Sequence, residues 1–423
     1  MPNEMSSTTG TMPGGAGSPA IAPVTQGAML QALPAAGPRR LRRILSLDDF
    51  EIAARRHLPR PIFGFIAGAA ETNATWRDNR EAFGDYGFLP RGLVDTSKRS
   101  QATELFGRLY AAPFGIPPMG IAAIAAYRAD LVLARAAARC NIPFILSGSS
   151  LIRLEDVIRE NPHAWFQAYL PGDDARILGL VDRVAAAGFK TLVVTIDVPV
   201  SANRENNIRN GFTTPLKPGL RLAWDGLIRP NWLVNTWVRT LLQHGMPHFE
   251  NSYATRGAPI LSRDVARDFG MRDHLNWRHL DLIRKRWHGK LALKGVMNRE
   301  DARIARESGV DGVLVSNHGG RQLDGTVSPL RILPEIADLA GPMTVMFDSG
   351  VRRGTDVLKA LALGARFVFV GRPFLFAASI AGDAGVEHAA GILSQEISRD
   401  MALLGIDRLD HMKKELLMQI RRA

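Results

Sequence analysis

The sequence predicts an α/β protein built on a (β/α)8 TIM barrel, with an N-terminal helical segment and a long insertion after strand four. From about residue 110, short apolar runs alternate with helical patterns, as buried parallel strands and their covering helices do. Closure of eight such units into a barrel is the simplest arrangement. An open doubly wound sheet is the alternative, but no G-x-G-x-x-G follows the first strand. The strand candidates are Ala112–Ile116, Pro143–Ser147, Trp165–Tyr169, Thr191–Asp197, Lys290–Lys294, Gly312–Ser316, Thr344–Asp348 and Phe367–Gly371.

Helices are predicted between most of these strands. A further helix is expected before the barrel, from about Leu47 to Arg56, where Ser46 is a candidate N-cap. We expect the barrel to occupy about 110–380, within a domain that spans 39–423. The helical patterns between strands are Ala129–Cys140, Asp174–Ala187, Arg299–Ser308 and Gly354–Leu363.

Two segments lie outside the repeating pattern. Residues 1–38 are rich in Gly, Pro, Ala, Ser and Thr and predict a disordered tail. An insertion spans about 198–277, in a βα loop at the active-site end of the barrel. Its apolar residues recur at roughly helical spacing, which indicates either an interfacial membrane helix or a lid or oligomer contact packed on the barrel. These residues are Trp232, Leu233, Val234, Trp237, Val238, Leu241 and Leu242.

The composition excludes several kinds of protein. The net charge is +12 over 423 residues, but no zinc-finger, basic-zipper or aromatic RNA-binding pattern accompanies it. Anionic small ligands and a membrane face are therefore favoured over nucleic acid. Cys140 is the only cysteine, so an intrachain disulfide is excluded, no metal site is predicted, and a reducing, cytoplasmic compartment is indicated. No apolar run reaches the roughly 18 residues of a membrane span, and the N-terminus does not resemble a secretory signal.

Nearly every predicted strand ends in a polar or ionisable residue. Barrel enzymes carry their catalytic groups at the C-terminal ends of the strands, on one rim. A barrel with a purely structural role has no need for such a ring of polar groups. The residues are Ser147, Gln167, Tyr169, Thr195, Asp197, Lys294, Ser316, His318, Arg321, Asp348 and Arg372.

The loops after the last two strands predict a phosphate site. They run Asp348-Ser349-Gly350-Val351-Arg352-Arg353-Gly354 and Gly371-Arg372-Pro373. Glycines let backbone N–H groups approach a phosphate, the next helix N-terminus favours its charge, and arginine supplies paired hydrogen bonds. The alternative is a pair of tight turns with solvated arginines.

His318 is the candidate general base. It lies between a strand end and two glycines, and the same rim carries Asp197, Arg204 and Arg321. A carboxylate beside an imidazole fixes its tautomer and stabilises its protonated form. Two arginines near that point suit the carboxylate of a substrate. Lys294 would stabilise negative charge that develops on a cofactor ring.

The run Ser-Asn-His-Gly-Gly-Arg-Gln-Leu-Asp at 316–324 resembles the signature of the FMN-dependent 2-hydroxy acid oxidase and dehydrogenase family. The resemblance extends from about residue 45 to the C-terminus. It implies FMN as cofactor and oxidation of a small (S)-2-hydroxy acid to the 2-oxo acid, with electrons passed to an external acceptor. Family members are commonly tetramers, so a homo-oligomer is expected.

The resemblance also implies roles for individual residues. His318 would be the catalytic base, Asp197 its partner, and Arg204 and Arg321 the ligands of the substrate carboxylate, with Tyr169 near the substrate hydroxyl. Contacts to the flavin ring are implied for Ser147, Gln167, Thr195 and Lys294. The remaining predicted cofactor contacts are Ser316, the ribityl and phosphate residues Asp348, Gly350, Arg352, Gly371 and Arg372, and the loop residues Pro118, Met119 and Gly120 at the reactive flavin nitrogen.

Within the family, the insertion is similar to that of bacterial membrane-associated (S)-mandelate and L-lactate dehydrogenases. The similar stretches are Asp225-Gly226, Pro230-Asn231-Trp232 and His244-Gly245-Met246-Pro247. In those enzymes this segment attaches the protein to the membrane. The resemblance therefore favours a dehydrogenase whose acceptor is a quinone or a redox protein. It also predicts a membrane surface in 213–250 and a peripheral location on the inner face of the cell membrane.

Three positions depart from the family pattern. Phe63 is aligned with a second active-site tyrosine that lies near the substrate carboxylate, Ser149 replaces a tryptophan, and Met119 replaces a threonine. Three alternatives therefore stay open. They are an oxygen-using 2-hydroxy acid oxidase, an FMN-dependent isomerase and a flavin-binding protein without turnover.

Overall fold

The computed structural model describes residues 38–213, 216, 219–262, 264 and 272–420. The predicted disordered tail lies outside the described residues except for Pro38. In chain order, the strands of the described part are β1 (Tyr86–Phe88), β2 (Thr103–Leu105), β3 (Arg108–Tyr110), β4 (Phe114–Gly115), β5 (Ile145–Ser147), β6 (Trp165–Ala168), β7 (Thr191–Thr195), β8 (Lys290–Val296), β9 (Gly312–Val315), β10 (Thr344–Asp348), β11 (Phe367–Phe369) and β12 (Leu417–Gln419).

Strands β4 to β11 form a barrel. They are joined in the order β4-β11-β10-β9-β8-β7-β6-β5, and each of these pairs is parallel. Closure comes from Ile116, whose N–H donates to Pro143 O at 2.9 Å and whose carbonyl accepts from Ile145 N–H at 3.0 Å. The eight predicted strands are confirmed, one of them (Thr344–Asp348) with the same bounds and the others with ends that differ by one to a few residues. The first is the shortest, partly because Pro113 has no N–H to donate.

The helices cover the outside of the barrel, and the four predicted between strands are confirmed to within one residue. Ser46 is the N-cap of the first helix, as predicted. The last helix contains a kink at Ala381–Gly382. In chain order the helices are α1 (Leu47–His57), α2 (Arg60–Ala67), α3 (Ala74–Glu81), α4 (Ala129–Arg139), α5 (Leu154–Glu160), α6 (Asp174–Ala186), α7 (Glu205–Asn210), α8 (Leu220–Leu227), α9 (Pro230–Trp232), α10 (Arg239–His244), α11 (Trp277–Arg286), α12 (Arg299–Glu307), α13 (Pro329–Leu339), α14 (Gly354–Ala362) and α15 (Arg372–Leu404).

Alternation along the strands divides the core into two layers. Every second side chain of a strand points into the barrel interior, where Val193, Ala292, Leu314 and Phe369 belong to one buried cluster. The hairpin β2–β3 joins this cluster through Leu105 and Tyr110. The side chains between them point outward and pack against the helices. The polar residues that follow the strands lie at the C-terminal end of this packed interior.

The insertion contributes helices α7 to α10 between β7 and α11. A π-helical stretch, Leu233–Val238, joins α9 to α10. The side chain of Trp232 is only 6% exposed, stacks on Trp237 and donates its indole N–H to Ile124 O at 2.8 Å. For Trp232, the second of the two alternatives holds, because this side chain packs on the barrel and anchors the insertion to it.

Another apolar surface lies on the same insertion. We call this set of exposed side chains on α8 and the π-helical and α10 stretch the insertion face. No helix in the described ranges is long and apolar enough to cross a bilayer. The insertion face comprises Leu220, Trp224, Leu227, Ile228, Val234 and Leu242.

Candidate active site

A cavity opens at the C-terminal ends of the barrel strands, where the sequence predicted the site. Its walls come from α2, from Lys294 in β8, and from residues that follow β4, β6, β9, β10 and β11. Most of the predicted residues lie on it, namely Pro118, Met119, Gly120, Tyr169, Lys294, His318, Arg321, Asp348, Gly350, Arg352, Gly371 and Arg372.

His318 and Asp197 form a buried hydrogen-bonded pair. His318 Nδ1 lies 3.0 Å from Asp197 Oδ1, and its Nε2 lies 3.4 Å from the hydroxyl of Tyr169. Burial lowers the pKa of His318 below its ordinary 6.5, and Asp197 offsets only part of that effect. The imidazole is therefore neutral at pH 7, and the bond to Asp197 places the N–H on Nδ1. Nε2 is left with a lone pair, as a base requires.

Asp197 is ionised although it is buried. Burial works against its ionisation, but His318 and Lys294 outweigh this and hold the pKa of the carboxyl below its ordinary value. Its Oδ2 has no hydrogen-bond partner among the described residues. The carboxylate is thus available to stabilise a positive charge on His318.

Lys294 is a buried cation beside the cavity. Its Nζ donates to Ser316 Oγ at 3.0 Å and lies 3.5 Å from Asp348 Oδ2. Burial alone would lower the pKa of Lys294, but Asp348 and Asp197 together raise it. The ammonium group therefore stays charged at the inner end of the cavity.

Two further cations on the cavity wall, Arg321 and Arg372, have no carboxylate partner among the residues that the structure describes. Arg321 donates to Phe65 O at 2.7 Å and Gly68 O at 2.8 Å, and Arg372 donates to Gly68 O and Gly319 O at 3.0 Å each. Burial and neighbouring arginines lower the pKa of Arg321 well below its ordinary value, and that of Arg372 to about 9. Because buried like charges repel each other, binding of an anion in the cavity would be favourable.

Arg204 lies behind this wall. Its Nε donates to Arg321 O at 2.9 Å and its guanidinium also donates to Gln322 Oε1 at 2.5 Å. Arg204 does not line the cavity. Of the two arginines predicted to bind the substrate carboxylate, Arg321 lies on the cavity surface, and Arg204 holds the backbone of Arg321.

Four predicted residues lie on strand ends below the cavity, at Ser147, Gln167, Thr195 and Ser316. Ser147 donates its hydroxyl to Gln167 Oε1 at 3.1 Å. Gln167 Nε2 and Thr195 Oγ1 have no hydrogen-bond partner among the described residues, although both are buried. Buried polar groups are almost always paired. A polar ligand that enters the cavity would satisfy these two atoms.

The comparison with known proteins identifies the ligand and the family. Residues 54–419 match the model of the FMN-dependent dehydrogenases. The chain belongs to the FMN-dependent dehydrogenase family. It is therefore an FMN-dependent oxidoreductase, as the signature at 316–324 suggested, and FMN is its cofactor.

Individual relatives agree with this family. An L-lactate dehydrogenase of Caulobacter sp. (strain K31) is 38% identical over 383 residues, which are 88% of this chain and 98% of that protein. The (S)-mandelate dehydrogenase of Pseudomonas putida is 33% identical over 377 residues, 89% of this chain and 94% of that protein. The crystal structure of a monotopic membrane protein, (S)-mandelate dehydrogenase, covers 89% of this chain and 100% of its own at 34% identity and a TM-score of 0.84. The predicted barrel is confirmed.

The unpaired polar groups fit the chemistry of FMN. The flavin ring offers carbonyl acceptors and an N–H donor along one edge, which match the amide of Gln167 and the hydroxyl of Thr195. The phosphate end needs cations and close backbone approach. Arg352 and Arg372 supply the charge, and Gly350, with φ of +85°, is so tightly packed that an added Cβ would lie 1.9 Å from Asn79 O.

The predicted substrate residue Phe63 lies away from the cavity, and a neighbour on the same helix lines the cavity instead. Phe63 stacks on Phe376 with Arg55 over its ring, away from the cavity. Phe65 lines the cavity, and the Arg321 guanidinium lies 4.9 Å from its ring centre. Two positions on a helix differ by about 200° in direction, so a shift of two residues moves a side chain to the opposite face. The helical period of α2 was the signal that could have distinguished them.

Proposed function

We propose that this FMN-dependent dehydrogenase oxidises a small (S)-2-hydroxy acid, lactate- or mandelate-like, to the 2-oxo acid. The supporting observation is that His318, hydrogen-bonded to Asp197, faces the cavity beside Arg321, for which the described residues provide no carboxylate partner. A base next to a carboxylate-binding cation suits a substrate that carries an acidic proton and a carboxylate on adjacent carbons. The similarity to an L-lactate and an (S)-mandelate dehydrogenase supports the same substrate class.

Each residue would have a separate task in the reaction. Arg321 binds the substrate carboxylate, and Arg204 holds Arg321 through its backbone carbonyl. Tyr169 contacts the substrate hydroxyl, because its own hydroxyl lies 3.4 Å from His318 Nε2. Bound FMN would supply the acceptor for the two electrons and for the second of the two protons that the substrate loses. His318 takes one proton on Nε2, and Asp197 stabilises the imidazolium that results.

The cofactor would be held along the length of the cavity. Lys294 would stabilise negative charge on the flavin ring, beside Ser147, Gln167, Thr195 and Ser316. The loop that contains Pro118, Met119 and Gly120 would cover the reactive part of the ring. The ribityl chain and phosphate would meet Asp348, Gly350, Arg352, Gly371 and Arg372.

Electrons would leave for a quinone or a redox protein, and the insertion face would hold the enzyme on the inner face of the cell membrane. On this face, the side chains of Leu220 and Trp224 are 93% and 63% exposed, so the described part of the single chain leaves them largely uncovered. Exposed apolar clusters of this kind commonly contact a membrane or a protein. A related (S)-mandelate dehydrogenase is a monotopic membrane protein, which supports the membrane as the partner. We also propose that the enzyme is a homo-oligomer.

The test is anaerobic reduction of the purified flavoprotein by a panel of (S)-2-hydroxy acids, namely lactate, glycolate, mandelate and longer alkyl acids. Loss of the oxidised flavin absorbance with at least one acid is expected, and its identity names the substrate side chain. Readmission of air then separates an oxidase, which reoxidises rapidly, from a dehydrogenase, which does not. A flavoprotein that none of these acids reduces would contradict the proposed substrate class.

A further inference from the structure

The loop after β9 holds the proposed base in an unusual backbone conformation. His318, Gly319 and Gly320 are three consecutive left-handed residues, with φ of +60°, +66° and +73°. For a residue with a side chain, this conformation costs about 1–2 kcal/mol. Interactions from elsewhere must therefore hold the loop, and they also fix the direction in which the imidazole points.

The residue before the base carries part of this support, beside the bonds from Ala70 N–H to Gly320 O at 2.9 Å and from Arg372 to Gly319 O at 3.0 Å. The side-chain amide of Asn317 donates to Asn79 Oδ1 at 2.7 Å and to Val327 O at 3.2 Å. Its oxygen accepts from Asn79 Nδ2 at 2.8 Å and from Gly320 N–H at 3.2 Å. An amide has two donor hydrogens and two acceptor lone pairs, so every hydrogen-bonding position of Asn317 is used.

The partner Asn79 comes from the N-terminal helical segment. It lies on α3, and both asparagines are buried, at 1% and 5% exposure. The bonds to Val327 O and Gly320 N–H fix which end of the Asn317 amide is the donor. The reciprocal pair therefore requires at position 79 a group that donates and accepts along one edge, as an amide does at every pH.

The same helix also contacts the phosphate loop. The carbonyl of Asn79 is so close to Gly350 that no side chain fits between them, and α3 also approaches Gly320 closely at Trp76. Asn79 thus touches the loop of the base and the loop that would hold the cofactor phosphate. It does not line the cavity itself.

We infer that Asn79 is a positioning residue for the reaction: it fixes the loop 317–320 through its amide pair with Asn317 and so sets the imidazole of His318 against the bound substrate. This inference rests on the proposed role of His318. It assigns a catalytic consequence to a residue outside the barrel that touches neither substrate nor FMN.

The first test is Asn79→Ala. Two bonds of the Asn317 amide are lost, the loop relaxes, and displacement of a reacting group by about 1 Å costs roughly 100-fold in rate. We expect kcat to fall by about that factor while KM changes little, because Arg321 keeps its separate anchors on Phe65 O and Gly68 O. The flavin content and absorbance spectrum should match those of the wild type.

Thr75→Val is the matched control for a general loosening of α3. Thr75 is also 1% exposed, and its hydroxyl lies 3.3 Å from Leu323 O and 3.2 Å from Thr326 O, which belong to the distal part of the same loop. Removing that hydroxyl weakens the contact between α3 and the loop without touching Asn317. We expect a thermal stability loss similar to that of Asn79→Ala but a kcat within about threefold of the wild type.

Asn79→Asp supplies a readout that a purely structural role would not change. A protonated carboxyl still donates to Asn317 Oδ1, whereas an ionised one repels it, and burial raises the pKa of such a carboxyl. We therefore expect kcat of this variant, divided by that of the wild type at the same pH, to fall as pH rises through the neutral range and to recover towards acid. The wild-type profile has no such decline.

These measurements separate the inference from the proposed function. Wild-type enzyme that is not reduced by any 2-hydroxy acid would contradict the function before a variant is assayed. If the wild type is active, a kcat of Asn79→Ala within twofold of wild type would overturn the positioning role. Equal losses of kcat in Asn79→Ala and Thr75→Val, with no new pH limb in Asn79→Asp, would overturn it as well.

Discussion

At the scale of single residues, the protonation state of His318 is set by opposing effects of its surroundings. Burial lowers its pKa, and the Asp197 carboxylate at 3.0 Å raises it part of the way back. A base must be neutral before it accepts a proton, so the rate of substrate oxidation should rise with pH through this pKa and level off above it. In the wild type, the pH range over which the oxidation rate rises is expected to lie below pH 6.5.

Asp197→Asn tests that balance. Removing the carboxylate removes the effect that raises the pKa of His318, so the acid limb should move to lower pH. The plateau rate should fall by roughly 100-fold, because the imidazolium loses its stabilising charge. Flavin reduction rates measured from pH 4.5 to 8 give both quantities. An acid limb that moves to higher pH would contradict the assignment.

The two phenylalanines of α2 permit a paired substitution. Phe65→Tyr would place a hydroxyl in the cavity near Arg321, where it would bond the substrate carboxylate, while Phe63→Tyr puts the same group against Phe376. We expect the first variant to lower KM by up to about tenfold, equivalent to one hydrogen bond to a charged group. The second should leave KM unchanged. Equal effects of both variants would mean that neither ring faces the substrate.

The site residues were predictable from sequence mainly where they follow a strand. The ends of buried strands are marked by a change from apolar to polar residues, so Lys294, His318 and Asp348 were found directly. Asn79 and Phe65 were not singled out, because they lie on short helices outside the barrel. Their importance depends on how α2 and α3 pack against the barrel loops, and no local pattern encodes that packing.

At the scale of elements, the eight barrel strands were recognised because each is a continuous apolar run buried on both faces. The insertion was harder to interpret. Its apolar residues divide between packing and exposure, and Trp232 is buried because its indole N–H reaches Ile124 O. A pattern of apolar residues shows that a surface must be covered but not which residues face the barrel.

The insertion face leads to a prediction about membrane binding. Leu220→Ser and Trp224→Ser should each weaken binding to vesicles of anionic phospholipid by about tenfold, since each removes roughly 1.5 kcal/mol of apolar burial. Leu403→Ser is the matched control, because this leucine is 68% exposed on α15. Sedimentation with vesicles measures the bound fraction. Equal binding of all three variants and the wild type would contradict a membrane role for this face.

At the scale of the whole molecule, the cofactor links the N-terminal helices, the barrel and its loops. Arg321 and Arg372 are buried, have no carboxylate partner in the described part of the chain, and donate to backbone carbonyls at the C-terminal end of α2. Without an anion in the cavity, their mutual repulsion opposes the closed arrangement. The fold and the cofactor site are therefore coupled.

Removal of FMN should destabilise the protein. Ligand at about 100 times its Kd adds about 2.7 kcal/mol to the free energy of unfolding. We expect the melting temperature of the apoprotein to rise when FMN is added, and to rise less with riboflavin, which has no phosphate. Arg372→Met should narrow the difference between the two ligands. If the difference in melting temperature between FMN and riboflavin stays the same in this variant, the phosphate does not bind at Arg372.

The role of His318 as the base is tested most directly by anaerobic stopped-flow reduction of the His318→Ala variant with the acid that reduces the wild type. The imidazole supports no part of the predicted cofactor site, so the variant should bind FMN with an unchanged absorbance spectrum. Reduction of that flavin by substrate should be slower by roughly three orders of magnitude. Reduction at the wild-type rate would show that the proton goes to another group, and the arrangement of His318, Asp197 and Arg321 would need a different explanation.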